Sequence, residues 1–319
     1  MLFRSVLVVD AVPRFEFRFL EHLLASDRRF RVESCLLDGQ SRAGGEGKRS
    51  RLAAPLPQTA ADWSRFDVVV LGDIHGDDLP SDAATGLVDA VQNDGVGVAW
   101  LPGRRWHAHG ADASPLGELL PASPGSGSST LGARGGRFQW LPAASQAGWQ
   151  PVAMPIRAEA MSAMVWPSAD GVSLDPTARV LAITTFDEAA PAPAVVLDQR
   201  GAGTVLGTLF TTWRLRGPAA SQGPVDHAAF WRHALARLAE SRILARHTPA
   251  VLGIEPAHPA SGAGARVDIE PTRPAADLRG WELEHTRPDG RQDRTSAASG
   301  TVRLDHLEPG WHSVALVGL

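Results

Sequence analysis

Four short clusters in this chain hold the side chains best suited to chemistry: Asp10 with Arg14 and Glu16, Asp73 with His75, Arg104 with Arg105 and His107, and Trp213 with Arg214. A carboxylate and an imidazole two residues apart on a tight turn can bind a hard or borderline cation, and the pair His107 and His109 could add imidazoles. Asp73, His75 and His107 are therefore the candidate metal ligands, and the chemistry they would support is metal-assisted hydrolysis. Nucleophiles are scarce. The only cysteine, Cys35, sits beside Leu36 and Leu37 in an apolar run where a small buried hydrophobe is the default role. Ser126, Ser128 and Ser129 fall in a Pro-, Gly- and Ser-rich stretch, and no Gly-x-Ser-x-Gly elbow occurs. Gly201-x-Gly203 is too short for a dinucleotide fingerprint and reads as a hairpin turn.

The elements that must position these clusters alternate between strand and helix. Val6 to Val9 form a short aliphatic run ending at Asp10, as expected of a strand buried on both faces. Phe15, Phe19, Leu20, Leu23 and Leu24 then recur at helical spacing behind Pro13. Strands are predicted at 30–37, 66–71 and 96–101, with a helix at 81–94 whose apolar face is Ala83, Leu87, Val88 and Val91. This βαββαβ order predicts an open, mainly parallel sheet with helices on its faces. Residues 121–136 read as a flexible loop and 137–178 are poorly periodic; strands return at 180–184, 194–198 and 204–211, the last two joined by a turn at Arg200, Gly201 and Gly203. A helix from Asp226 to about Arg246 follows, with Ala228, Trp231, Leu235 and Leu238 on its buried face. After Pro249, short runs at 251–255, 265–270, 281–285, 301–304 and 312–317 predict a small antiparallel β-sandwich-like domain. The expected division is 1–248 for the α/β domain and 249–319 for the β domain.

Open α/β sheets bind ligands outside the carboxyl ends of their strands, so the topology gathers Asp10, Arg14, Glu16, Asp73, Arg104, Trp213 and Arg214 at one rim. Such a rim is either a self-neutralising ionic network or an anion-binding groove. Composition narrows the partners. With a net charge of −4 and no Lys/Arg block, a nucleic-acid surface is not expected. No run of about 18 apolar residues occurs and Met1 leads directly into a β-like segment, so neither a membrane span nor a signal peptide is predicted, and the expected address is cytoplasmic.

Two family resemblances follow from these residues. Gly72-Asp73-Ile74-His75-Gly76 is similar to the first metal-binding motif of calcineurin-like metallophosphatases, but the downstream Gly-Asp and Gly-Asn-His blocks of that family are missing. Val8-Val9-Asp10 with Pro13 to Leu20, Val69 to Asp73, Gly203 to Leu206, Thr211 to Arg214 and Phe230-Trp231-Arg232 together resemble a class I glutamine amidotransferase-like domain. That domain is found in large bacterial proteins that often carry von Willebrand factor A-like and membrane-spanning segments. The resemblance spans about residues 3–245 and implies a flavodoxin-like sheet. In active members it also implies a cysteine on the elbow after the fourth strand. Here that elbow reads Leu101-Pro102-Gly103-Arg104, with no thiol or hydroxyl at its tip. The function expected is therefore non-catalytic: a protein-binding or scaffold module without a cofactor, whose partner could be a von Willebrand A or AAA-type ATPase protein. Metal-dependent hydrolysis at Asp73 and His75 and binding of a small anion at the rim are the alternatives.

Overall fold

The computed structural model describes residues 4–37, 55–74, 76, 78–103, 105, 114–124, 134–151, 162–165, 172–185, 190–212, 215, 223–247, 250–255, 262–271, 280–309 and 312–318. The chain divides into two compact units, Met1–Arg242 and Ile243–Leu319. The division falls inside the last helix, a few residues before the change of texture at Pro249.

The first unit is α/β, as expected. Strand β1 (Arg4–Asp10) is followed by α1 (Phe15–Ser26), β2 (Phe30–Leu36), the short α2 (Ala60–Trp63), β3 (Val68–Gly72), α3 (Ser81–Asp94) and β4 (Gly97–Leu101). The middle of the chain supplies β5 (Ala122–Pro124), β6 (Arg134–Trp140), α4 (Pro142–Gln146), β7 (Ser162–Val165), β8 (Val172–Leu174), β9 (Arg179–Thr185), β10 (Ala192–Arg200) and β11 (Gly203–Thr208), and α5 (Gly223–His247) closes the unit. Nine strands make one sheet in the order β2-β1-β3-β4-β11-β10-β9-β6-β7. Every pairing from β2 to β11 is parallel, and every pairing from β11 to β7 is antiparallel. The expected sheet is thus parallel in one half only. A hairpin reverses it: β10 and β11 meet at Arg200 and Gly203 around Gly201, whose φ of 60° is the left-handed conformation that glycine adopts without strain.

Alternation along each strand assigns its side chains to two layers. Val6 and Val8 face one layer with Phe17, Leu20 and Leu24 of α1 and with Phe230, Trp231, Leu235 and Leu238 of α5. Leu7 and Val9 face the other with Ala83, Leu87, Val88 and Val91 of α3. The faces read for α3 and α5 are therefore the buried ones, except that Ala228 is half-buried; on α1, Leu20 and Leu24 are buried but Phe19 and Leu23 are half-buried and Phe15 is exposed, with Phe17 buried instead. Cys35 is buried in β2, as expected. The supposed loop at 121–136 contains β5 and the start of β6, and β6 to β8 occupy the poorly periodic stretch.

The second unit holds two three-stranded antiparallel sheets. One is ordered β12 (Ala250–Glu255), β13 (Ala265–Pro271), β16 (Thr301–Leu304); the other β15 (Gln292–Ser296), β14 (Trp281–Thr286), β17 (Ser313–Gly318). Val267, Ile269, Leu283, Ala297 and Val302 form their shared core. Strand β15 is exposed along its whole length and carries no apolar alternation, so the sequence did not reveal it. Among the described residues, no helix is long and apolar enough to cross a membrane.

Candidate functional site at the strand ends

Parallel register brings the carboxyl ends of β1, β3 and β4 level, with Asp10 opposite Gly72 and Gly72 opposite Leu101. Asp10 ends a strand that is buried on both faces, and only 2% of the residue is exposed. Its Oδ2 accepts a hydrogen bond from Arg14 Nε at 2.7 Å, and its Oδ1 accepts one from the Val12 amide at 3.3 Å. Arg14, the residue that caps α1, also donates through an Nη to the Leu101 carbonyl at 2.7 Å. One guanidinium therefore ties β1, α1 and β4 together.

Asp73 follows β3 with a φ of 38°, unusual for a residue other than glycine. Its amide donates to the same Leu101 carbonyl at 3.0 Å, and its Oδ1 accepts the Arg105 amide at 3.0 Å. Asp73 is buried by this fold-back, with 4% of the residue exposed. Two glycines make the arrangement possible. A Cβ on Gly72 would overlap the Asp10 carboxyl and approach Arg14, and a Cβ on Gly103 would overlap the Asp73 carboxyl. Arg105 turns its guanidinium away to Asp78, meeting both carboxylate oxygens at 2.6 and 2.7 Å.

The third rim carboxylate, Glu16, is buried in the first turn of α1. Thr212 Oγ1 donates to Glu16 Oε2 at 3.1 Å and accepts from Trp231 Nε1 at 3.2 Å, so α5 supports α1 through the segment after β11. Electrostatics follow from this crowding. Burial pushes the Asp10 carboxyl above its ordinary value, Arg14 opposes that rise, and the charge of Asp73 adds to it. Burial works against the Arg14 guanidinium too, but Asp10, Glu16 and Asp73 together hold its pKa above the ordinary arginine value. The cation is therefore permanently charged and surrounded by carboxylates.

Of the sequence-predicted rim, the structure brings together Asp10, Arg14, Glu16 and Asp73. Arg104, Trp213 and Arg214 lie outside the described residues, as do the candidate metal ligands His75 and His107. Among the described residues, no group of three or more His, Cys, Asp or Glu side chains could hold a metal ion. Sequence reasoning missed Asp78 and Thr212, and it named Gly72 and Gly103 without seeing that they make room for the Asp10 and Asp73 carboxyls. A signal existed for the two glycines: each lies at or just after the end of a core strand, where close backbone approach is its usual purpose.

No family model matches the chain, and no curated protein matches it. Among solved structures, a cytoplasmic protein from Salmonella typhimurium aligns with a TM-score of 0.48 at 12% identity, over 73% of this chain and 98% of that one. A β-galactosidase from Rahnella sp. R3 aligns with a TM-score of 0.39 at 9% identity, over 100% of this chain and 41% of that one. A β-galactosidase from Bacillus circulans gives 0.42 at 10% identity, over 95% and 41%. The chain spans about two fifths of the length of these β-galactosidases. Likenesses this distant carry no argument about activity.

Proposed function

We propose that the first unit is a catalytically inactive, flavodoxin-like glutamine amidotransferase-like domain that serves as a protein-binding or scaffold module. The observation that carries this reading is the occupancy of the elbow after β4. Catalysis by this fold needs a nucleophile there, with room for its side chain and for a reacting carbon beside it. In this chain the elbow offers Gly103, and the space above it is filled by the Asp73 carboxyl. The only thiol, Cys35, is buried in β2.

Two further features support the reading. The parallel strands follow the order β2-β1-β3-β4-β11, which is the flavodoxin-like order 2-1-3-4-5 if β11 counts as the fifth parallel strand. Beside the rim, Phe15 is 55% exposed and stacks on Phe19 with ring centroids 6.0 Å apart, an apolar contact surface on the first turns of α1. Among the described residues it is the exposed large hydrophobic side chain.

The test has two arms. Purified protein incubated with glutamine should release no ammonia above a heat-killed control, and with added manganese or zinc it should not hydrolyse a phosphomonoester. Turnover that Asp73→Asn or Cys35→Ser abolishes would overturn the reading. In cells of the source organism, a photo-crosslinking amino acid at position 15 should capture a discrete polypeptide, and the same probe at Ser26, on the far end of α1, should not. Equal labelling at both positions refutes a specific docking role for this surface.

A further inference from the structure

In the second unit, two imidazoles form a hydrogen-bonded chain whose proton positions the geometry fixes. His312 places one ring nitrogen, Nε2, 2.8 Å from the Glu308 carbonyl, and its other nitrogen, Nδ1, 2.9 Å from Nε2 of His285. A carbonyl oxygen only accepts, so His312 Nε2 carries the hydrogen. Neutral His312 is then bare at Nδ1, and the hydrogen between the rings belongs to His285 Nε2. The rings also stack, with centroids 5.1 Å apart and planes 23° from parallel.

This chain ties two segments together. His285 is buried in β14, the central strand of its sheet, while Glu308 lies in the connection between β16 and β17 and His312 immediately precedes β17. Protonation works against it. A single added proton can be shared between the facing nitrogens, but a proton on each ring sets two N–H groups against each other and replaces attraction with repulsion between stacked cations. Surrounding charges give little relief. Arg287, just past the end of β14, repels a charged His285; Asp293, opposite His285 on β15, attracts it but is half-exposed and already paired with Arg287 at 2.7 Å. Glu308 lies on the same connection and favours the charge of Arg287. On β17 the residue opposite is Val314, and the facing sheet contributes Val267, Ile269 and Val302 to the core.

We propose that His285 and His312 form a pH-sensitive latch that holds the β16–β17 connection on β14 at neutral pH and releases it as the imidazoles take up protons. The direction agrees with the electrostatics, since burial, then His312 and Arg287, lower the His285 pKa below its ordinary 6.5. A base with a lowered folded pKa contributes stability that is complete above its unfolded value and is lost as the pH falls below it. A histidine held neutral in the fold loses about tenfold in its local closing equilibrium about one pH unit below that value.

Amide hydrogen exchange of the full chain tests this, comparing about pH 7.5 with about pH 5.5 after scaling for intrinsic rates. Segments 281–286 and 305–318 should lose about tenfold in protection at the lower pH, while 68–72 and 97–101 keep theirs. His312→Gln, which can still accept from His285 and donate to the carbonyl, should shrink that pH dependence to the part that the burial of His285 alone supplies. Unchanged wild-type protection, or an equal loss in His312→Gln, overturns the proposal. Should the variant fold poorly, long-range proton–nitrogen spectra of the wild type decide. At about pH 7.5 they should find His312 protonated on Nε2 and bare on Nδ1, and the reverse tautomer overturns the proposal.

Discussion

The two units use the same ion pair at the same distance for different purposes. Arg14 meets Asp10 at 2.7 Å with side chains 18% and 3% exposed, and Arg287 meets Asp293 at 2.7 Å with side chains 39% and 52% exposed. Contact distance does not rank these pairs; burial does. In water, an exposed pair gains little because solvent already screens both charges. At the rim, each charge has been stripped of water, and removing its partner leaves an uncompensated charge inside the fold. The rim pair therefore holds strand ends together, while the pair on the β-domain surface does little for stability.

The sharpest way to break this contrast is Arg14→Met. It leaves Asp10 and Asp73 buried without their cation and should cost about 3–5 kcal/mol in chemical denaturation at neutral pH. The sign of its pH dependence follows from Asp10. A carboxyl whose folded pKa lies above its unfolded 3.8 stabilises the fold at low pH and loses that contribution as the pH rises through the folded value. Without Arg14 the folded value rises further, so the deficit of the variant should shrink as the pH is lowered from neutrality. A deficit that stays constant with pH would mean that Asp10 is not the group left uncompensated.

Glycines offer the next comparison. Gly103→Ala places a methyl on the Asp73 carboxyl and should cost about 1–3 kcal/mol, whereas Gly280→Ala in the second unit meets nothing within 4 Å and should change stability by less than about 0.5 kcal/mol. Equal effects at the two positions would show that the rim is looser than these contacts require.

A third, smaller effect concerns Asp27 at the end of α1, which is buried and receives Arg29 and Arg232, the latter from α5, each at 2.7 Å. The Arg29 side-chain hydrogen bond, with help from Arg232, holds its carboxyl well below the usual aspartate range. A lowered carboxyl contributes stability that is present above its unfolded 3.8 and lost as the pH falls through the folded value. Asp27→Asn should therefore cost about 1–2 kcal/mol at neutral pH and flatten the acid limb of the stability curve. An unaltered acid limb would assign acid sensitivity elsewhere. Smallest of all, Arg287→Ala should leave stability almost unchanged, and added salt should reduce even that small effect.

How much of this was legible in the sequence depends on what each element buries. Strands β1, β3 and β4 are sandwiched between helices and read as continuous aliphatic runs, and α3 shows its face as Ala83, Leu87, Val88 and Val91. Strands β6 and β7 extend the antiparallel half, β8 pairs with β5 in a separate two-stranded sheet, and β6 begins Arg-Gly-Gly-Arg, which hides its alternation behind residues that favour loops. The carboxyl-end rule brought Asp10, Arg14, Glu16 and Asp73 to one rim without coordinates. The same rule could not reveal that Arg14 reaches a backbone carbonyl of β4, or that Asp73 folds back over Gly103. Both depend on a left-handed residue and on missing side chains, and these are tertiary facts. The hydrogen-bonded histidines lay equally out of reach, since 27 residues separate them in the chain.

The central claim is that the strand-end rim is closed by its own charges. Isothermal titration of the full chain with inorganic phosphate, with glutamate and with manganese tests it most directly. The account predicts no saturable heat beyond that of an ionic-strength control for any of the three. Saturable binding that Arg14→Ala or Asp73→Asn abolishes would contradict it, because a ligand would then be using groups that this account commits to one another.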